Sequence, residues 1–316
     1  MSGRILVAGG AGFIGSHIVD AHRAAGWEVE VLDDLSTGKR ANVPAGVPLH
    51  VLDVRSAEAR EVVARGRFDV LNVQAAQVDV RVSVREPVRD LDINVLGLAN
   101  LLEGAAAGGV GRVVWASSGG VLYGEAEVTP TPESAPKAPV SPYGVSKLAG
   151  EHILRVLAAL RGFEGVALRY ANVYGPRQDP HGEAGVCSIF AGRLLRGEPL
   201  TVFGTGRQTR DYVFGPDVAQ ANLRASTAAL PPAAGHDARA FNIGTGRETS
   251  VTGLAELVGR AAGVTPTLEL APARAGELER SALDAAKARA ILGWTPATSL
   301  ADGLAALIAW MRTEVR

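Results

Sequence analysis

The run Gly9-Gly10-Ala11-Gly12-Phe13-Ile14-Gly15 constrains this chain more than any other feature. It follows the apolar run Ile5-Leu6-Val7-Ala8 and opens an amphipathic stretch from Phe13 to Ala25. A strand, a glycine turn and a helix in that order form a cradle for a diphosphate. Glycine lets the backbone turn sharply and come close, and the helix N-terminus offers free N–H groups and a favourable dipole. Val29 to Leu32 reads as a second strand ending at Asp33, 18 residues after Gly15. An acid there accepts hydrogen bonds from a ribose diol and repels the extra phosphate of NADP. The pattern therefore points to NAD, although Lys39 and Arg40 stand close by.

Further apolar runs repeat the alternation. Val51-Leu52 ends at Asp53, and Val70 to Val73 and Arg112 to Ala116 read as strands, with helical patterns over 57–65 and 88–107 between them. Continuous apolar strands separated by helices predict a doubly wound α/β fold, with a parallel Rossmann sheet covered on both faces. From about residue 175 the segments shorten and Pro and Gly punctuate them. We expect residues 1–174 to form a cofactor lobe and 175–316 a smaller α/β substrate lobe, with the chain crossing back between them. Thr129 to Pro142 and Ala229 to Ala240 read as surface loops.

Composition excludes several classes. Lys+Arg total 32 against Asp+Glu 33, which gives no electrostatic footprint for nucleic acid. No apolar run approaches the ~20 residues of a membrane span. The single cysteine, Cys187, permits no intrachain disulfide and reads as a small buried residue, and no histidine set has zinc-ligand spacing. A cytoplasmic protein is expected.

In the run SPYGVSK, Tyr143 and Lys147 are four apart. Ser141 suits an N-cap and Pro142 a first helical turn, so both side chains lie on one face of a helix. Apolar positions 145, 148, 153, 156, 157 and 160 suggest its buried face. A tyrosine hydroxyl ionises near pH 10, so a base at neutral pH needs cationic help, which an ammonium and the positive nicotinamide ring of NAD can supply.

These residues, with SSGGVLYGE, LRYANVYGPRQ, GTGRQTRDYV, FNIGTG and ARAGELERS, resemble the extended short-chain dehydrogenase/reductases nearly end to end. Within that family the chain is most similar to the UDP-galactose (UDP-glucose) 4-epimerases. The resemblance implies an isomerase in which tightly held NAD takes hydride from C4 of a UDP-hexose while Tyr143 takes the O4 proton. The 4-keto sugar then turns and hydride returns to its other face. It implies that Lys147 holds the nicotinamide ribose and tunes Tyr143. The cofactor set would be Gly9, Gly12, Phe13, Ile14, Gly15, Asp33, Asp34, Thr37, Gly38, Asp53, Val54, Gln74, Ala75, Ala76, Gln77, Asn94 and Tyr170, with Tyr143 and Lys147. The UDP-sugar would meet Ser118, Asn172, Val186, Arg210, Arg274, Glu277 and Ser281. A homodimer through helices 88–107 and 145–160 is implied as well.

The chain departs from the family at Gly119, where a Ser or Thr is usual, and Ser118 or its neighbour Ser117 would supply the bridging hydroxyl. The dehydratases need an acid pair where this chain has Gly120 and Val121, and the decarboxylases need a Glu in the same segment, so elimination chemistry lacks its acid. Ser281 stands where some members carry a pocket-closing Tyr, which leaves room for N-acetyl sugars. UDP-glucuronate epimerisation and a non-catalytic NAD sensor are the other readings.

Overall fold

The computed structural model describes residues 3–180, 185–273 and 278–314. The first half alternates β1 (Arg4–Ala8), α1 (Phe13–Ala24), β2 (Glu28–Leu32), β3 (Leu49–His50), α2 (Ala57–Arg65) and β4 (Val70–Val73). Three helices follow: α3 (Val80–Arg85), α4 (Pro87–Leu91) and α5 (Leu98–Gly108), the last two joined by a π-helical turn at Asp92–Gly97. Next come β5 (Arg112–Ser118), the single turn α6 (Gly119–Leu122), α7 (Pro142–Arg161) and β6 (Glu164–Tyr170). The second half contains β7 (Asn172–Tyr174), α8 (Val186–Leu195), β8 (Leu200–Phe203), β9 (Thr209–Arg210), β10 (Tyr212–Phe214), α9 (Gly215–Thr227) and β11 (Ala240–Ile243). It ends with β12 (Thr249–Ser250), α10 (Val251–Ala262), β13 (Leu268–Ala271), β14 (Arg280–Ser281), α11 (Ala286–Leu292) and α12 (Leu300–Glu314).

Seven parallel strands form one sheet in the order β11-β6-β5-β4-β1-β2-β3. The order reverses beside β1, where doubly wound sheets open a crevice at the carboxyl ends of their strands. β4 and β11 are buried along their whole length, as strands covered on both faces must be. One apolar core packs Ile18, Val19, Val218 and Ala221 on one face of the sheet, and a second packs Val63, Leu101, Leu102 and Leu154 on the other. A third core joins Phe190, Leu194, Leu254, Leu307 and Ile308 in the smaller lobe. β11 and α9 follow residue 175 yet pack with the sheet, β11 pairing Phe241 with Leu168.

Four local readings are corrected. The strand expected at Val51-Leu52 lies earlier, at Leu49–His50, because this edge strand pairs only as far as Leu32↔His50. Beyond it the chain turns into α2, with the Asp53 carboxylate accepting the Arg55 N–H at 2.8 Å. The helix expected over 88–107 is interrupted by the π-helical turn that carries Asn94. The first part of the Thr129–Pro142 loop is not surface. Thr131 and Glu133 are buried, and Glu133 Oε1 accepts the Asn242 N–H at 2.8 Å.

The fourth correction concerns α7. Its buried residues are Gly144, Ser146, Lys147, Gly150, Glu151, Leu154 and Ala158, while Val145, Val156 and Leu160 are exposed. The helix turns its small and charged residues to the sheet. A Cβ on Gly150 would lie 2.4 Å from Trp115 Cη2, so only glycine lets the helix come this close. Of the expected stripe, Leu148, Ile153 and Leu157 pack against the cores at the edge of this face, and Val145, Val156 and Leu160 are left outward. No helix among the described residues is long and apolar enough to cross a membrane.

Candidate active site

The glycine turn does its work through close approaches. Gly9 has φ +82°, and a Cβ there would lie 2.5 Å from Ala75 N; a Cβ on Gly15 would lie 2.0 Å from Gly9 O. Gly12 differs. It is the N-cap of α1, a Cβ there would meet only Gly9 O, at 3.3 Å, and no side chain caps the helix. The helix end, with Phe13 and Ile14 in its first turn, is thus left open to an anion. Asp33 lies at the end of β2 and is buried. Its Oδ2 accepts the Ala11 N–H and its Oδ1 the Leu35 N–H, each at 2.9 Å. Burial pushes its carboxyl up, against the pull of those backbone donors. Asp33 therefore braces the glycine turn itself, and Gly38 packs so close that a Cβ would lie 2.7 Å from Asp33 Oδ1. Asp34 closes a turn by accepting from Ser36, and Thr37 is exposed beside it.

Asp53 is tied to Arg55, whose side chain holds its carboxyl below the usual range, and Val54 is buried against Gly97. After β4, Gln74 and Ala75 both donate to Ala8 O, at 2.7 and 3.0 Å, which locks this turn over the end of β1. Ala76 and Gln77 continue the wall. Asn94 clamps Gln77 from both sides: its Oδ1 accepts the Gln77 N–H at 2.9 Å and its Nδ2 donates to Gln77 O at 3.0 Å. Tyr170 is buried and donates to Gln74 Oε1 at 3.2 Å, while Asn222 donates to its hydroxyl at 2.8 Å.

The candidate catalytic side chains sit where β5 and α7 meet. Ser141 caps α7 by accepting the Gly144 N–H at 3.1 Å, and Pro142 occupies the first turn. The Tyr143 phenol lies beside the Ser118 side chain, at the end of β5. Burial pushes the phenol well above its ordinary value, the Asp90 charge adds to this, and Ser118 opposes it. Lys147 is buried, donates to Ala116 O at 3.0 Å, and lies 4.9 Å from the Trp115 ring centroid and 5.6 Å from that of Tyr143. Burial pushes its ammonium down to about 8, with Asp90 acting the other way. The two serines separate by role: Ser117 is buried and donates to Glu151 Oε1 at 2.6 Å, which leaves Ser118 for the tyrosine.

The Gly119-Gly120 turn lies between Ser118 and Asn172. A Cβ on Gly120 would stand 3.7 Å from Asn172 Oδ1 and 4.0 Å from Ser118 Oγ. Arg210 donates to Thr209 O and Leu278 O at 2.7 and 2.8 Å, and its residue pairs in register with Ser281. Val186 starts α8, half-buried. Arg274 and Glu277 lie outside the described residues. Sequence reasoning missed Asp90, a buried acid whose charge reaches both Tyr143 and Lys147. Its place four residues before Asn94, on the same side of a helical run, is the signal that could have found it.

Residues 5–244 match the NAD dependent epimerase/dehydratase family. The UDP-glucose 4-epimerase of Mycolicibacterium smegmatis is 42% identical, over 98% of this chain and 99% of its own. Two solved structures superpose closely. The UDP-glucose 4-epimerase of Thermotoga maritima with UDP-glucose gives a TM-score of 0.93 at 42% identity, covering 99% of this chain and 100% of its own. That of Thermus thermophilus with NAD gives 0.91 at 45% identity, covering 98% and 99%.

Proposed function

The chain belongs to the NAD-dependent epimerase/dehydratase family, and from that premise we propose that it is an NAD-dependent 4-epimerase interconverting UDP-galactose and UDP-glucose. The observation that carries this is the buried Lys147 ammonium held 5.6 Å from the Tyr143 ring centroid, with Ser118 beside the phenol, at the carboxyl ends of the parallel strands. The open N-terminus of α1 and the Asp33-braced glycine turn fit NAD. NAD, when bound, accepts hydride from C4 of the sugar, returns it to the other face, and adds a positive charge that lowers the Tyr143 phenol.

Tyr143 takes the O4 proton and later gives it back, so it acts as base and then as acid. Ser118, beside the phenol, shares that proton and orients it. Lys147 holds the cofactor ribose with the donors that Ala116 O leaves free. Asp33 serves the adenosine ribose, with Asp34, Thr37 and Gly38 around it, and Asp53 and Val54 the adenine. Gln74, Ala75, Ala76, Gln77 and Asn94 wall the nicotinamide half, with Tyr170 beneath. Asn172, Val186, Arg210, Arg274, Glu277 and Ser281 take the UDP-sugar. Planar guanidinium groups match diphosphate oxygens in pairs. Gly120 and Val121 offer no carboxylate beside Ser118, which favours epimerisation over dehydration.

A division into a cofactor lobe (1–174) and a UDP-sugar lobe (175–316) is part of the same reading. The return of β11 and α9 to the sheet supports a chain that crosses between them. A homodimer is supported by the exposed apolar side chains of Val84, Val88, Leu96, Val145 and Leu160 on α3, the helical run through α5, and α7. A cytoplasmic setting accords with the single, buried, free Cys187.

The test uses purified protein incubated separately with UDP-galactose and UDP-N-acetylgalactosamine, followed through the anomeric signals in NMR spectra. Both convert to their gluco isomers, because Ser281 leaves the pocket open. Conversion of UDP-galactose alone removes the argument from Ser281, and conversion of neither removes the epimerase reading.

A further inference from the structure

Asp90 is a buried acid whose charge reaches Tyr143 and Lys147 and to which the chemistry above gives no task. It is fully shielded from solvent on α4. Its Oδ1 accepts from Gln77 Nε2 at 2.8 Å and from Asn94 Nδ2 at 3.1 Å. Its Oδ2 is buried with no hydrogen-bond partner among the described residues. A buried carboxylate with one oxygen unsatisfied is costly unless an opposite charge offsets it. The α4 helix packs on α7, which carries Tyr143 and Lys147. The hydrogen bonds run the same way. Asn94 Nδ2 also donates to Ser146 Oγ at 3.2 Å, and Ser146 Oγ donates to the carbonyl of Tyr143 at 2.9 Å.

We propose that Asp90 is a positioning residue of the active site: the fixed counter-charge of Lys147, and the anchor of the Gln77–Asn94–Ser146 clamp that holds α7 in place. This rests on the epimerase reading above. Among the described residues, the other acids on α7 and on the elements packed against it have partners of their own, Glu164 of β6 with Arg112 among them. Tyr143 precedes it by one turn, and Glu151, one turn beyond, is engaged by Arg169 and Ser117. Asp79 pairs with Arg81, Glu86 with Arg89, Asp92 with Arg55 and Glu103 with Arg161. Asp90 therefore has a direct effect on how long Lys147 stays an ammonium as pH rises. Burial lowers that limit to about 8, and Asp90 keeps it from falling further.

Asp90→Asn isolates the charge, since its amide oxygen still accepts from Gln77 and Asn94. The chain has four lysines, Lys39, Lys137, Lys147 and Lys287, so the Lys147 signal of protein labelled with 13C at lysine Cε is assigned by its loss in Lys147→Met. In Asp90→Asn holoenzyme the Lys147 midpoint falls by about one pH unit or more. The alkaline limb of kcat moves down with it, while KM for UDP-galactose is unchanged. A purely structural Asp90 would lower kcat alike at every pH and leave the lysine midpoint where it was, and that result overturns the proposal. Should the variant not fold, the wild type still decides. Lys147 remains an ammonium up to about pH 8, and a signal already neutral at about pH 6.5 contradicts a counter-charge. Absence of turnover in the wild type defeats the epimerase reading instead, and the lysine titration still reports on Asp90.

Discussion

Tyr143→Phe lowers kcat for UDP-galactose by about 10³-fold or more while leaving the fold and bound NAD in place. The substitution removes one oxygen, and with it the ionisable hydroxyl beside Ser118. General acid–base groups contribute about 10²–10⁴-fold, and here one group must both accept and return the proton. The loss falls on kcat because the hydroxyl is needed most in the transition state, so KM changes little. Lys147 keeps its bond to Ala116 O. The check is steady-state kinetics alongside measured NAD content. A kcat within tenfold of wild type would mean that another group moves the proton.

Glu151→Gln destabilises the protein by roughly 3 kcal/mol, the usual cost of removing one partner from a buried ion pair. Arg169 is fully buried and gives Glu151 two hydrogen bonds, Nε to Oε1 at 2.8 Å and Nη2 to Oε2 at 2.6 Å. Asp237 accepts from the same guanidinium at 2.7 Å but is half-exposed and compensates only in part. For a chain of 316 residues the loss lowers Tm by roughly 4–5 °C. The pH dependence has a definite sign. Burial disfavours the Glu151 carboxylate, but its hydrogen bonds with Arg169, His236 and Ser117 outweigh this and hold the carboxyl down at about 2. Its folded pKa is thus below the unfolded value of about 4.3, so its contribution is complete above that value and disappears as pH falls towards 2. The difference in Tm between wild type and Glu151→Gln is full at neutral pH and narrows on acidification below about pH 4. Scanning calorimetry across that range checks it, and equal Tm values at neutral pH would contradict the account.

The sequence made legible whatever depends on neighbours a few residues apart. The glycine turn, Asp33 at the end of β2, and Tyr143 with Lys147 one helical turn apart are all read over short spans; Asp33 accepts the Ala11 N–H, and the Lys147 ammonium lies 5.6 Å from the Tyr143 ring centroid. The choice of Ser118 over Ser117 needed the sheet, because Glu151, 34 residues along the chain, engages Ser117. The Glu151–Arg169 pair likewise forms only once α7 lies against β6. The apolar stripe of α7 misled because periodicity reports an apolar face, not what covers it. Here the sheet side of the helix is shared by glycines, Lys147 and Glu151 with Leu154 and Ala158, and half of the expected stripe, Val145, Val156 and Leu160, is left outward. The π-helical turn leaves no residue pattern of its own, yet it carries Asn94, which faces Gln77 and Ser146.

The central claim is that the hydrogen at C4 leaves the sugar and returns to it within one active site, with Tyr143 handling only the O4 proton. UDP-galactose carrying deuterium at C4, incubated with purified protein and no added cofactor, tests it most directly. The account predicts UDP-glucose that retains deuterium at C4, with none appearing in water. Protium at C4 of the product, or the absence of UDP-glucose, would contradict it.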